Sequence, residues 1–481
     1  MNDQEKKHVI VIGAGAAGLM AAVMAARAGC RVTVLERNEK AGKKIYITGK
    51  GRCNFTNACA PEEFFSSVRR NNRFLYSSFY GMTNEDVIAL FESAGMQVKI
   101  ERGNRAFPVS DHASDVTGSL LRLLNREGVQ IRYGVRVRRL LTANCEDPLQ
   151  EDSKEDHRDD AKDASTLAPK KASKGMYKET SGEIGRLHVT GVALSGGEVL
   201  MADAVIVCTG GLSYPSTGST GDGYLFAEDL GHRVSTCLPS LVPLCVREEA
   251  LCRQLQGLSL RNVRLRMTQG KKTLYEEQGE MLFTHFGVSG PLVLTASTLL
   301  PLKESIGKKN EKKADTKETE GFDTTDLCLH IDLKPALTEK QLDERLLRDI
   351  DAAEKKQVKN MLGGLYPAKL VPIMISLAGI DAETKCHSLT RQQREALGRV
   401  TKDLTLRVTG TRGFSEAIIT RGGVDVKQIR PDTMESKLVG GLFFAGEVLD
   451  LDAVTGGFNL QIAWSTGAAA GRGVAKSEKE T

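Results

Sequence analysis

The chain has 481 residues, 41% of them hydrophobic, so it can bury a large core and is expected to divide into two or three domains. Its 66 basic and 61 acidic residues give a formal net charge of +5, which is too even to indicate nucleic acid or an acidic membrane as a partner. The ten cysteines form no C-x-x-C pair, which argues against a disulfide scaffold or a zinc site, and the N-terminus shows no cleavable apolar segment. We therefore expect a cytoplasmic protein without a metal site.

The first predicted unit in chain order is a β-α-β unit. Residues 8–12 are typical of a buried parallel strand, residues 16–28 of an alanine-rich helix, and residues 31–35 of a second strand. The apolar run over residues 8–29 is almost long enough to span a membrane, but glycines interrupt it where the strand would turn into the helix. We expect no membrane-spanning helix.

A G-x-G-x-x-G motif stands between that strand and that helix. Gly13 permits a tight turn, Gly15 lets the backbone approach a pyrophosphate, and Gly18 lets helix and strand pack closely. Glu36 ends the second strand, where its carboxylate can accept hydrogen bonds from the hydroxyls of an adenosine ribose. A purely structural glycine turn is the alternative, but the strand, the helix and the acidic residue together favour a dinucleotide site.

Later segments surround this α/β pattern with two other kinds of structure. Alternating strands from about 241 to 332 predict an antiparallel sheet or barrel, and the apolar spacing over 338–400 predicts several helices. The remaining predictions are strands over 129–141, 186–194 and 204–208, one parallel strand within 441–450, and a closing helix over 459–474. The expected domains are 1–235, which binds the dinucleotide, 236–335, a β-barrel, 336–402, a small helical insert, and 403–481, which returns through the barrel edge to the first domain.

Two stretches, about 146–183 and 303–326, are dense in charge and poor in apolar residues. Such composition cannot offset the entropy of ordering a packed element. A regulatory or partner-binding segment is one interpretation. A solvated loop inserted between strands is the favoured one, because surface loops accommodate insertions at little cost.

Three glycine-rich segments indicate FAD rather than NAD, because they are too polar for core elements and suit backbone wrapped along a long cofactor. They span 42–57, 209–223 and 446–461. In the first, Lys43 and Arg52 are placed to balance phosphate or reduced-flavin charge. The third precedes the closing helix, whose N-terminus is expected to face the flavin pyrimidine, where negative charge accumulates on reduction.

With these motifs the chain resembles the YhiN/BaiN-type family of NAD(P)/FAD-dependent oxidoreductases. The matching motifs are GAGAAG at 13, ITGKGRCNFTN at 47, CTGGLSYPSTGSTGDGY at 208, LFTHFGVSGP at 282, EAIITRGGV at 416 and GLFFAGEVLDLDAVTGGFNLQIAWSTG at 441. The resemblance covers nearly the whole chain. It implies an α/β fold in which a Rossmann-like FAD-binding domain is interrupted by an antiparallel β-barrel and by a small helical insert.

The resemblance also implies which residues contact the cofactor. The expected flavin contacts are Gly13, Gly15, Gly18, Glu36, Lys43, Arg52, Asn54, Thr209, Gly210, Gly446, Glu447, Asp450, Gly457 and Asn459, with Val135 contacting adenine through its backbone. The same motifs add Ala16, Ala17, Arg37, Gly51, Phe458 and Leu460 to the expected cofactor-binding set.

Three side chains are candidate proton donors near the flavin ring, and the sequence does not rank them. They are His285, Tyr214 and Arg52. For His285 a structural hydrogen-bonding role is equally compatible with the motif. Cys53 has no resolving cysteine at redox spacing, so we expect it to pack rather than react. The basic strand over 261–266 is expected to be a solvated strand rather than an RNA-binding surface.

The reaction expected from the resemblance is reduction of a conjugated carbon–carbon double bond in an oxo-bile acid or steroid, with NAD(P)H as the electron donor. The chain has only one G-x-G-x-x-G motif, so a nicotinamide would have to dock transiently without a Rossmann domain of its own. Two alternatives stay open: an amine or aminoketone oxidase that uses oxygen, and an RNA-associated flavoprotein that uses the barrel as a binding module. We expect a small-molecule substrate and no nucleic-acid partner.

Overall fold

The computed structural model describes residues 6–144, 187–303 and 321–476. Its strands in chain order are β1 (His8–Ile12), β2 (Arg31–Glu36), β3 (Thr56–Asn57), β4 (Val98–Glu101), β5 (Arg105–Pro108), β6 (Gln130–Tyr133), β7 (Val137–Asn144), β8 (Leu187–Leu194), β9 (Val199–Met201), β10 (Ala204–Val207), β11 (Leu238–Ser240), β12 (Leu244–Val246), β13 (Ser259–Gln269), β14 (Lys272–Phe283), β15 (Gly287–Ser289), β16 (Leu327–Asp332), β17 (Leu404–Thr411), β18 (Ile419–Arg421) and β19 (Leu442–Phe444).

The helices are α1 (Ala16–Arg27), α2 (Pro61–Ser67), α3 (Tyr76–Gly81), α4 (Asn84–Ser93), α5 (Ala113–Arg126), α6 (Asp222–Asp229), α7 (Glu249–Gln254), α8 (Pro291–Ser297), α9 (Glu339–Ala352), α10 (Val358–Leu362), α11 (Val371–Leu377), α12 (Arg391–Lys402) and α13 (Phe458–Gly473).

A five-stranded parallel sheet with the order β19-β10-β1-β2-β6 forms the Rossmann-type core. β1 and β10 are continuous apolar runs because strands at the centre of a parallel sheet are covered on both faces. The predicted β-α-β unit is confirmed at its expected position. Close packing of α13 on α1 depends on Gly467 and Gly471, where a Cβ would lie 2.4 Å from the Ala17 carbonyl oxygen and 2.3 Å from that of Ala21.

One predicted strand, 129–141, is two strands in the structure. β6 belongs to the parallel sheet, whereas β7 pairs antiparallel with β8 in a separate three-stranded sheet. Gly134 lies between them with φ of 69°, a left-handed conformation that glycine adopts without steric cost. The turn therefore redirects the chain from one sheet to the other, which the hydrophobic pattern alone did not indicate.

A closed antiparallel barrel with the order β12-β15-β14-β13-β16-β17 forms the second core. Its strands alternate in exposure: Leu265 and Met267 are fully buried, while Arg264 and Arg266 point to solvent. Its last strand, β17, follows α12, so the helices from α9 to α12 are inserted between two neighbouring barrel strands, β16 and β17. The predicted fold class, a Rossmann-like domain interrupted by a barrel and a helical insert, is confirmed.

The first charged stretch, about 146–183, lies outside the described residues. β7 and β8, which flank it, pair antiparallel, with Val137 opposite Leu194 at one end and Asn144 opposite Leu187 at the other. Residues 304–320 of the second stretch also lie outside the described residues. The Lys303 amide donates to the Gly321 carbonyl oxygen at 2.9 Å, and Phe322 is buried, so the described end of this stretch belongs to the fold.

Candidate functional site

Two of the three glycines in the motif after β1 have no room for a side chain, and the third has. A Cβ on Gly13, whose φ is 100°, would lie 2.6 Å from the Cys208 carbonyl oxygen, and one on Gly18 would lie 1.8 Å from the Gly13 carbonyl oxygen. At Gly15, by contrast, no heavy atom of the described chain lies within 4 Å of the added Cβ. Gly15 therefore borders open space at the N-terminus of α1, which is the position at which a pyrophosphate would approach the backbone.

Glu36 is a buried carboxylate at the end of β2 that is already held by the turn around it. It accepts hydrogen bonds from the Ala14 amide at 2.8 Å, the Asn38 amide at 2.8 Å and the Asn38 side chain at 2.7 Å. A carboxylate has about four acceptor directions, so roughly one is left for a ribose hydroxyl. Asn38 was not predicted, because nothing in its spacing distinguished it from an ordinary turn residue.

Two other residues predicted at this end of the site have their polar groups engaged. The Val135 amide donates to the Glu36 carbonyl oxygen at 3.0 Å, so an adenine contact by Val135 would have to use its carbonyl oxygen. Arg37 donates to the Thr220 hydroxyl at 2.6 Å and forms an ion pair with Asp222 at 3.3 Å. The second glycine-rich segment therefore packs against the residues that follow β2.

The first and third glycine-rich segments meet at the N-terminus of α13. A Cβ on Gly457, whose φ is 98°, would lie 2.5 Å from the Thr56 carbonyl oxygen. Asn54 Oδ1 and Thr209 Oγ1 are buried and accept no hydrogen bond from any described residue. Buried polar atoms are nearly always satisfied, so these two atoms and the open space at Gly15 fit a bound cofactor with hydroxyl or ring N–H groups. The residues present are thus compatible with FAD.

The remaining predicted residues of the third segment are held by their own loop. The Asn459 side chain accepts from the Ala453 amide and donates to the Ala453 carbonyl oxygen, both at 2.9 Å. Phe458 is buried and Leu460 is half-buried at the start of α13, while Gly446 approaches the Ala17 side chain. In this structure the Asn459 amide therefore shapes the loop before α13, and its contact with flavin stays a prediction.

A charged cluster around Glu447 contains Lys44, the neighbour of Lys43, whose contact with the cofactor stays a prediction. Lys44 Nζ donates at 2.6 Å to both Glu447 and the buried Ser213 hydroxyl. Ser213 and the Thr420 amide also donate to Glu447, at 2.5 and 2.8 Å. The Lys43 ammonium instead lies 3.3 Å from the exposed Glu39. Two adjacent lysines in an irregular turn carry no periodic signal, so the sequence could not tell which one faces inward.

Asp450 belongs to a second buried ion network that the sequence did not reveal. Arg70 lies 3.0 Å from Asp450 and donates to Asp452 at 3.1 Å. Asp452 is fully buried, and burial raises its pKa while Arg70 opposes that effect. Because the pair joins the residues after α2 to the loop before α13, it fixes the entry to that helix.

Arg52 does not occupy the position expected of a free cation or a proton donor. Its guanidinium hydrogen-bonds to Glu101, donates to Asp111 at 2.7 Å, and stacks 4.3 Å from the centroid of the Phe107 ring. The hydrogen bonds to Glu101 and Asp111 raise the pKa of Arg52. In this structure the charge of Arg52 is balanced by these two carboxylates beside the small β3-β5-β4 sheet, and its contact with the cofactor stays a prediction.

His285 and Tyr214 lie on opposite sides of the junction between the barrel and the Rossmann domain. His285 is exposed, with its ring edge-on to Phe286 at a centroid distance of 5.0 Å. Tyr214 is half-buried, and both burial and the nearby Glu416 raise its pKa, so its hydroxyl is protonated at neutral pH. Of the three candidate acids, Tyr214 combines partial burial with a proton that it retains.

Neither the Cys53 thiol nor a cluster of metal-binding side chains adds a reactive group in the described ranges. Cys53 is fully buried beside the glycine-rich loop, and burial raises the pKa of its thiol to about 12, which leaves no thiolate to react at neutral pH. Residues 6–144, 187–303 and 321–476 contain no group of three or more His, Cys, Asp or Glu side chains that could hold a metal ion. Within the same ranges, none of the helices is both long and apolar enough to cross a bilayer.

Comparison with known proteins gives matches along nearly the whole chain. The model of the HI0933-like protein Rossmann domain matches residues 7–163 and 165–473. A 3-dehydro-bile acid delta(4,6)-reductase from Clostridium scindens is 31% identical over 97% of this chain and 98% of its own length. Ribosomal RNA dihydrouridine synthases from Haemophilus influenzae and Escherichia coli are 30% and 28% identical over 95% and 96% of this chain, and each is covered over 96% of its length.

These matches confirm the resemblance that the motifs indicated. They extend through the Rossmann-type sheet, the barrel and the helical insert, rather than through the glycine motif alone. The fit of the glycine turn and of the buried acceptors at Asn54 and Thr209 to a dinucleotide agrees with that assignment. The chain belongs to the HI0933-like family of Rossmann-domain proteins, and it is an FAD-dependent oxidoreductase.

Proposed function

We propose that this protein reduces a carbon–carbon double bond that is conjugated to a carbonyl group, in a small apolar enone such as an oxo-bile acid or steroid. The observation that carries the proposal is that two groups of relatives with different substrates have names that describe the same bond chemistry. A 3-oxo-4,6-diene contains carbon–carbon double bonds conjugated to a carbonyl group, and the C5–C6 double bond of a uracil ring is conjugated to a carbonyl group as well. Saturating either bond adds one hydride at the β-carbon and one proton at the α-carbon.

Bound FAD supplies the hydride chemistry at its N5 atom. The residues proposed to hold it are the glycine turn over 13–18, Glu36, Asn54, Thr209 and the N-terminus of α13. Gly15 offers open space for the pyrophosphate, and the buried oxygens of Asn54 and Thr209 need hydrogen-bond donors. The α13 N-terminus contributes a partial positive charge, which favours an anionic group placed beside it.

Tyr214 is the proposed proton donor for the α-carbon. A general acid must hold its proton at the working pH and reach the substrate. Tyr214 is protonated at neutral pH, and its half-buried side chain at the domain junction is partly open to a substrate. Arg52 is a weaker candidate because its guanidinium is bound by two carboxylates, Glu101 and Asp111.

The proposed electron donor is NAD(P)H, docked transiently over the flavin. The chain has a single G-x-G-x-x-G motif, and its glycines are committed to the turn after β1. A nicotinamide cofactor would therefore share the open side of the flavin with the substrate. This arrangement predicts that the reductant leaves before the enone binds.

Uridine in RNA is the second candidate substrate, and the similarity to the Haemophilus influenzae dihydrouridine synthase over 95% of this chain favours it. The basic strand β13 gives little support on its own. Arg264 lies 3.9 Å from Glu276 on the neighbouring strand, and both side chains are nearly half exposed. An exposed pair of opposite charges is typical of a solvated strand rather than of a phosphate-binding surface.

A solvent-isotope experiment with Tyr214→Phe tests the proposal. Photoreduced enzyme in D2O is given a 3-oxo-4-ene bile acid or a uridine-containing RNA, and the product is analysed by mass spectrometry and NMR. We expect solvent deuterium at the α-carbon of the enone, from the general acid, and at the β-carbon as well, because the N5–H of a photoreduced flavin exchanges with D2O. The rate should fall by about 10²- to 10⁴-fold in Tyr214→Phe, the usual contribution of a general acid. Saturation of the RNA alone would transfer the proposal to the second substrate, and saturation of neither would contradict the reaction.

A further inference from the structure

One end of the barrel faces Tyr214. Leu244 pairs with Val288 on one side and with Thr411 on the other, so the turn before β15 and the turn after β17 are neighbours at this end. We call residues 284–287 and 411–416 the barrel rim. It meets the Rossmann domain at Tyr214, whose amide donates to the Phe414 carbonyl oxygen at 2.9 Å.

Arg412 joins the two turns of the barrel rim. Its guanidinium lies 4.5 Å from the centroid of the Phe286 ring, which is the geometry of a cation–π contact. Its Nε and Nη2 atoms both lie 2.7 Å from the same carboxylate oxygen of Glu416. Its amide donates to the Pro243 carbonyl oxygen at 3.1 Å. Arg412 therefore fixes Glu416 in one position relative to Phe286 and to the start of β12.

Tyr214 has a backbone conformation that needs support. Its φ is 49°, in the left-handed region, and Pro215 follows it. A bulky residue rarely adopts this region, and such strain persists only where surrounding contacts impose it. The hydrogen bond from the Tyr214 amide to Phe414 is one such contact, and Phe414 lies in the same turn as Arg412 and Glu416.

We propose that Arg412 and Glu416 are positioning residues that hold the barrel rim against Tyr214 and so fix the Tyr214 side chain for proton transfer to the substrate. This inference rests on the proposed function. Glu416 is a negative charge beside the phenol, and a negative charge disfavours the phenolate. Arg412 acts only through Glu416 and the rim, because it is the group that holds the carboxylate in place.

The other charged groups around Tyr214 are accounted for. On the barrel rim, His285 contacts Phe286 and points to solvent. On the Rossmann side, the next residue in the chain, Ser213, binds Lys44 and Glu447, whose charges neutralise each other at 2.6 Å. Arg412 pairs with Glu416 at 2.7 Å, so Glu416→Gln removes the negative charge near the phenol and also leaves the positive charge of Arg412 unpaired; both changes favour the phenolate form of Tyr214.

The test is a titration of Tyr214 in the holoenzyme without substrate. Phenolate absorbance near 295 nm is followed against pH, and the Tyr214→Phe spectrum is subtracted to isolate this tyrosine. In Glu416→Gln we expect the Tyr214 midpoint to shift to lower pH, because the carboxylate charge is removed at nearly constant size. Glu395→Gln is the matched control: Glu395 forms the same i,i+4 pair with Arg391 in the helical insert, and its removal should leave the midpoint unchanged.

Kinetics give the second readout. In Glu416→Gln the alkaline limb of kcat against pH should shift in the same direction as the titration, while KM changes little. Arg412→Lys keeps the positive charge but loses the double contact with Glu416 and the stacking on Phe286. It should therefore shift the alkaline limb of kcat in the same direction as Glu416→Gln, by a smaller amount. An unshifted Tyr214 midpoint in folded Glu416→Gln would overturn the inference. A shifted midpoint in a protein that reduces no enone would instead contradict the proposed function and leave the pair intact.

Discussion

Replacing Gly15 and Gly18 by alanine separates cofactor binding from folding, because the two glycines of one motif meet different surroundings. At Gly18 an added Cβ would lie 1.8 Å from the Gly13 carbonyl oxygen, so helix and turn would have to separate by well over an ångström. At Gly15 the described chain offers the Cβ open space, and the backbone, with φ of −83° and ψ of −170°, suits alanine. Gly18→Ala should therefore impair the fold and Gly15→Ala should not.

The expected magnitudes follow from these surroundings. Overpacking against backbone costs about 3 kcal/mol or more, and the better helix propensity of alanine offsets about 1 kcal/mol. Gly18→Ala should thus lose about 2 kcal/mol, which corresponds to a fall of about 4 °C or more in the thermal midpoint of the Rossmann domain. In Gly15→Ala, displacement of the pyrophosphate would remove at least one charge-assisted hydrogen bond worth about 1.5–3 kcal/mol, so the Kd for FAD should rise about 10- to 150-fold.

The assays are thermal unfolding of the apoproteins and fluorescence titration of FAD into each. Gly398→Ala, on α12 in the helical insert, also places its Cβ in open space among the described residues and should change neither quantity for the worse. Wild-type FAD affinity in Gly15→Ala would refute the assignment of the pyrophosphate to this turn. An unchanged midpoint in Gly18→Ala would refute the packing argument.

Two further predictions concern the charged residues of the loop over 42–57. A hydrogen bond from Arg52 lowers the pKa of Glu101, and hydrogen bonds from Lys99 and then Arg52 lower the pKa of Asp111. The contribution of these two carboxylates to stability is therefore present above the ordinary values of 4.5 and 3.8 and is lost as the pH falls through the lowered ones. The urea midpoint of the wild type should therefore fall more steeply below pH 4.5 than the urea midpoint of Arg52→Gln. The Arg52→Gln variant should still reduce its substrate. A large loss of rate with an unchanged acid profile would instead show that Arg52 takes part in the reaction. Lys44→Met should destabilise the fold by about 2 kcal/mol in urea titrations, because Glu447, which is 16% exposed, loses its counter-charge. Lys43→Met should cost less than about 0.5 kcal/mol, because the partner of Lys43 is exposed. Equal losses in the two lysine variants would contradict the cluster.

The parts of the fold that could be predicted are those with a regular pattern. The β-α-β unit, the apolar strand β10, the closing helix and the barrel each repeat a hydrophobic period that sequence alone reveals. The division of residues 129–141 into β6 and β7 could not be predicted, because both strands mix apolar with charged residues and only a short turn at the left-handed Gly134 separates them.

Sequence alone indicates candidate site residues where glycine or an acid has a defined geometric task, as in the turn over 13–18 and at Glu36, and their contacts with the cofactor stay predictions. Sequence alone does not indicate contacts that depend on the tertiary structure. Lys44 differs from Lys43 only in which way an irregular turn points, and Arg52 meets its two carboxylates only because β4 and β5 fold beside it. Arg412 and Glu416 show the same limitation, since their proximity to Tyr214 arises from the docking of two domains.

The central claim, that this flavoprotein reduces a double bond conjugated to a carbonyl group, is tested most directly by anaerobic reoxidation. The yellow holoenzyme is first bleached with NADH or NADPH, or by photoreduction, and a 3-oxo-4-ene bile acid is then added without oxygen while the visible absorbance is followed. The enone should restore the yellow colour and become two mass units heavier. An enzyme that stays bleached with the enone and with uridine-containing RNA, and regains its colour only with oxygen while forming peroxide, would contradict the claim and identify an oxidase.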